Sequence, residues 1–199
     1  MLQPCLKDFD MSQVSIVNRA LSYIGANKIT NLEDSTQEAR AVSNVYDDSL
    51  RSILEEAPWV FALKRKLLNK VEEAPAWGNG NYFALPSECV RIFEIMPQDA
   101  QWRREGNLIL ANTDTFGILY TYVEKNDALY SPSFVDAFAV RLAADVAYDL
   151  TNSSSKQNEL IQYYKAEMLP IAKSINAQNR SAPQVQDGEW VDAIIHGGY

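Results

Sequence analysis

Histidine occurs once in these 199 residues and cysteine twice, so the side chains from which most metal centres and nucleophilic sites are built are scarce. Cys5 and Cys89 stand far apart and form no CxxC spacing. Neither a disulfide framework nor a zinc site is expected, and a reducing compartment is. Positive charge is also short: 18 Lys and Arg face 26 Asp and Glu, a net charge of −8 with a pI near 4.7. That balance argues against holding DNA by neutralising its phosphates. No stretch approaches the run of about eighteen apolar residues that a membrane span needs. The opening MLQPCLKDFD carries charges and a proline where a signal peptide would need an apolar core, so residues 1–12 read as a leader. The patterns GxxxxGKS/T and GxGxxG are both missing. Gly78 and Gly80 lack the third glycine and the helix start that a phosphate cradle requires, and read as a turn.

What remains is an ordinary globular composition, 47% hydrophobic and 22% charged, with length for one domain or two closely packed layers. Apolar residues Val14, Val17, Leu21 and Ile24 recur on one helical face, and Gly25 follows where a closing glycine belongs. Ser35 or Thr36, with Gln37 or Glu38 as reciprocal partner, signals a second helix that Pro58 ends. Between about residues 59 and 131 the period changes. Segments 60–71, 82–86, 89–95 and 117–125 read as strands, and Glu105-Gly106-Asn107 turns a hairpin. The helical period returns near Ser133, with Phe134, Val135, Phe138, Leu142 and Val146 on one stripe. A fourth helix starts near Ser155 with Leu160, Ile161, Tyr164, Met168, Ile171 and Ile175 inside, and Pro170 should bend it.

No helix is apolar all round, so each must lay one stripe on a partner. The expected fold is mainly α with an inserted β region (α+β). Helix pairs from 13–58 and 132–177 form a four-helix bundle, with a small antiparallel β domain at 59–131 and an extended arm at 178–199.

Chemistry has little to work with. His196 is near the end of the chain and has no nucleophile beside it. The adjacent pairs Asp47-Asp48, Glu55-Glu56 and Glu72-Glu73 point in different directions from one element and read as solvated faces, not as opposed catalytic acids. Lys64-Arg65-Lys66 reads as protection of an edge strand. No catalytic, cofactor-binding or metal-binding residue is therefore assigned. Aromatic residues are plentiful, with four Trp, ten Tyr and seven Phe. Trp59 and Phe61 read as the plug at the helix–sheet junction. Trp77 and Trp102 stand beside turn signals and are candidate contacts for another protein. The stretch DGEWVDAIIHGGY places Trp190, Val191, Ile194, Ile195, His196 and Tyr199 as candidate anchors of a partner-binding arm.

Residues 17–68, with Ile24-Gly25, the connection through Ile29, Leu32 and Glu33, and the closing Trp59-Val60-Phe61, resemble the tail tubular protein A family. YFALPSECVRIFEI, with Leu85-Pro86 in its middle, extends the likeness. These proteins are head-to-tail adaptors (connectors) of short-tailed and related tailed phages. The resemblance implies a homo-oligomeric ring of twelve copies beneath the portal protein. Its β region would meet the downstream tail protein (nozzle or tail tube), and its C-terminal arm would reach the portal or a neighbouring subunit. DNA would pass through the channel without specific binding, repelled by acidic groups, in a virion neck assembled in the host cytoplasm. Two other readings stand beside it: a non-viral α-helical adaptor that binds through the same tail, and a small carboxylate-dependent hydrolase.

Overall fold

The computed structural model describes residues 12–180. The leader before Ser12 and the arm positions Trp190, Val191, Ile194, Ile195, His196 and Tyr199 lie outside the described residues.

Helix α1 (Gln13–Ile24) begins where the Ser12 hydroxyl accepts the Ser15 amide, and ends at Gly25 in the left-handed region at φ 71°. Helix α2 (Gln37–Glu56) is capped by Thr36, whose hydroxyl accepts from the Ala39 amide. Glu38 does not complete a reciprocal capping box; its carboxylate accepts instead from the Asn27 side chain at 2.9 Å. Helix α3 (Pro132–Thr151) starts at the Ser131 cap with Pro132 in its first turn, and closes at Asn152.

One expectation fails at α3. Its buried residues include the contiguous sets Ala137–Val140 and Leu142–Ala144, so this helix is enclosed on nearly every side. The reason is its alanines: small side chains let α1, α2 and the C-terminal helices all pack on it. The N- and C-terminal helices thus share one core around α3, built on Trp59, Phe134, Phe138, Leu54 and Leu142 among others.

The last helical stretch carries a second correction. Helix α4 (Ser154–Tyr163) runs into a π turn at Tyr164–Met168, in which the Leu169 amide donates to the Tyr164 carbonyl, and then into α5 (Leu169–Gln178). One extra residue per turn rotates everything after it by roughly 100°. The buried series therefore runs Leu160, Tyr164, Leu169, Ala172, Asn176. Ile171 and Ile175, expected inside, are 54% and 42% exposed. Pro170 explains the turn's position, because a plain α-helix would press its ring onto the carbonyl of Ala166.

The middle of the chain forms six antiparallel strands in two three-stranded sheets. Strands β1 (Leu63–Leu67), β6 (Gly117–Tyr122) and β3 (Cys89–Met96) make one, in that order, with β6 central. Strands β2 (Asn81–Ala84), β5 (Leu108–Ala111) and β4 (Trp102–Glu105) make the other. The β1 segment is shorter than its sequence suggests, because Val60–Ala62 form a 3-10 turn first. A second core of Phe83, Ile109, Phe116, Ile118 and Tyr120 fills the space between the sheets. By strand alternation Leu119 and Thr121 face the other way, the side on which α2 meets the sheet. The chain is α+β, and its layers run from the helices through the β1–β6–β3 sheet to the β2–β5–β4 sheet.

Candidate partner-binding site

Trp59 belongs to the helical core, on the stretch of chain between α2 and β1. It is fully buried, its indole N–H donates to the Ile53 carbonyl at 2.7 Å, and its ring meets Phe134 edge-on at 4.9 Å. Phe61 stacks beside it at 6.4 Å and touches Phe134 and Tyr130. This stretch is held from α5 by the buried amide of Asn176. Its oxygen accepts the Val60 amide at 2.9 Å and its nitrogen donates to the Pro58 carbonyl at 3.0 Å. Sequence reasoning missed Asn176, whose partners stand 116 and 118 positions away. An Asn among apolar positions of α5 was the only signal.

Trp77 and Trp102 belong to the sheet layer farther from the helices. Trp77 is 75% exposed and carries the Arg103 guanidinium over its ring, 5.4 Å from the centroid. Trp102 leans on Phe116 at 6.2 Å and borders a shallow groove of about 180 Å³ with Gln101, Arg103 and Asn112. Through Arg103, the structure brings these two tryptophans to adjoining surfaces. A flat aromatic with an arginine over it is the composition of a protein contact.

Elsewhere, apolar surface is on display along α5, where Ile171 and Ile175 stand out from a helix whose other side is buried. Val60, also exposed, is tied to α5 through Asn176.

The carboxylate pairs do not converge. Asp47, Asp48, Glu55, Glu56, Glu72 and Glu73 are all exposed, and Glu56 pairs with Lys173 at 3.1 Å. Where a described carboxylate shifts, it shifts downward, away from the range of a general acid. Asp34 accepts from the amides of Asn31 and Thr30 and from the Thr30 hydroxyl, and these hold its pKa low. Glu105 is held low in the same way by the Tyr82 hydroxyl. Burial pushes the Cys89 thiol up, against reactivity. Among the described residues no cluster of His, Cys, Asp or Glu could hold a metal ion. No helix among them is long and apolar enough to cross a membrane. Lys64-Arg65-Lys66 lies on β1, an edge strand; Lys64 sits over the Tyr122 ring at 3.5 Å.

No protein-family model matches the chain, and no curated protein matches it either.

Proposed function

We propose that the chain is a structural head-to-tail adaptor of a tailed phage. Copies of it form a ring that joins the portal protein to the downstream tail component, and DNA passes through without specific binding. The ring size that the resemblance implies is twelve. No chemical reaction and no cofactor are part of this reading. The protein belongs to the virion neck, assembled in the host cytoplasm.

The observation that carries the reading is the outward turn of Ile171 and Ile175. A π turn rotates two large aliphatic residues from the core face of a helix to its surface, where each exposed half leaves roughly 1 kcal/mol of burial unrealised. In a ring, the same contact recurs at every subunit boundary. The exposed Trp77 with Arg103 on the far sheet supplies a second surface suited to the next tail protein. The net charge of −8 suits a channel that must repel DNA.

Co-sedimentation with the portal tests the role of α5. Wild-type chain should travel with the portal as a large complex, and the double variant Ile171→Glu, Ile175→Glu should stay behind while remaining folded. Equal incorporation of the variant would remove α5 from the interface and the main support from the reading.

A further inference from the structure

The face of the β1–β6–β3 sheet turned away from the second sheet is only partly covered. Its Thr121 end is fully buried. Towards Gly117 the same face opens into a groove of about 340 Å³, with Gly117 and Leu119 of the central strand as floor. Leu67 from β1 and Met96 from β3 form its walls. They are 63% and 53% exposed, yet they lean inward, since a Cβ on Gly117 would stand 3.1 Å from Leu67 Cδ2 and 3.4 Å from Met96 Cε. Glu94 lines the groove and pairs with the Arg180 guanidinium at 3.4 Å. Arg65, across from Glu94, has no ion-pair partner among the described residues.

Arg180 is also the last described residue, so the chain continues from the rim of the groove. Ten positions on in the sequence stands Trp190, followed by Val191, Ile194 and Ile195, a spacing that a helix would place on one face. Ten residues with random-coil dimensions would span about 16–19 Å on average, which puts this apolar set within reach. Asp187, Glu189 and Asp192 accompany it and complement Arg65. Tethering gives the segment a local concentration of millimolar order, far above that of any separate copy in dilute solution.

From these features we infer that the segment 187–199 of the same chain docks in this groove, with Trp190 and Ile194 against Leu67 and Met96. The inference goes beyond the connector reading and does not depend on it: it concerns the free subunit, and a partner that captures the arm must first draw it off the sheet.

Methyl-methionine NMR of the full chain reads this directly, because Met96 is a groove wall and Met168, in the helical body, is an internal reference. Trp190→Ala and Ile194→Asp should each move the Met96 methyl resonance and leave that of Met168 in place. The shift should be the same at every protein concentration. A Met96 resonance indifferent to both substitutions overturns the proposal. So does a response that appears only as concentration rises, which would assign the groove to a neighbouring copy's segment.

Discussion

Replacing Trp59 by alanine removes the largest fully buried side chain and strands the Ile53 carbonyl that its N–H now satisfies. The expected loss is about 3–5 kcal/mol, read from the urea midpoint of unfolding. Asn176→Ala should cost about 1–3 kcal/mol in the same assay, because the Val60 amide and the Pro58 carbonyl lose their partner together. The tyrosines set the alkaline limit. Burial, then the hydrogen bond to Glu88, pushes Tyr120 up to about 12 from 10.0. The bond to Glu124, then burial, takes Tyr122 to about 12 as well. An unfolded chain would release these protons near pH 10 while the folded one still holds them. Their stabilisation is thus complete below about pH 10 and drains away as pH rises towards 12. Unfolding midpoints measured across that window should fall, and Tyr120→Phe should make the fall shallower. What the sequence made legible at this scale was local. Thr36 could be read as a cap because it needs only an amide three residues away, whereas the Ser131 cap of α3 was not read. Asn176 was illegible because its partners come from across the chain.

Among the elements, α1 and α2 bury the faces their periods mark, the β4–β5 hairpin forms about its expected turn, and β3 forms where expected but with two register irregularities against β6. Two helices depart from theirs. The stripe on α3 marks a preferred side, but its alanines carry no period, and only the assembled core shows that they too are enclosed. The C-terminal helix reads inside-out after Met168 because a periodic template has no place for the extra residue of the π turn. Pro170 announced a distortion, not its phase. The phase can be tested by removing the insertion. Deleting Lys165 together with Pro170→Ala should give a plain α-helix with Leu160, Tyr164, Leu169, Ala172 and Asn176 still buried, and a melting temperature near that of Pro170→Ala alone. Deleting Lys165 by itself keeps the proline ring against the preceding turn and should cost about 3 kcal/mol. Deleting Lys173 instead would rotate Asn176 off the Trp59 junction and should be worse than either.

At the scale of the whole molecule, Trp59 and Asn176 tie α2, the start of the β region and α5 together, and the proposed connector role draws on two of the exposed surfaces, α5 and the Trp77 side of the far sheet. Among the described residues the large hydrophobics left exposed include Ile171 and Ile175 on α5, Trp77 and Trp102 by the far sheet, the groove walls Leu67 and Met96, and also Val60, Leu129 and Tyr148. These lie on three different layers, as expected of a subunit with neighbours on several sides. The partner anchors proposed from the sequence, Trp190, Val191, Ile194, Ile195, His196 and Tyr199, lie outside the described residues. Assembly into a ring on a portal is the step the proposed role depends on, and particle mass by light scattering reads it. The purified chain mixed with its proposed portal partner should give a complex that contains about a dozen copies of the chain for each portal ring. A chain that remains a 22.4 kDa species at every portal concentration would contradict the account.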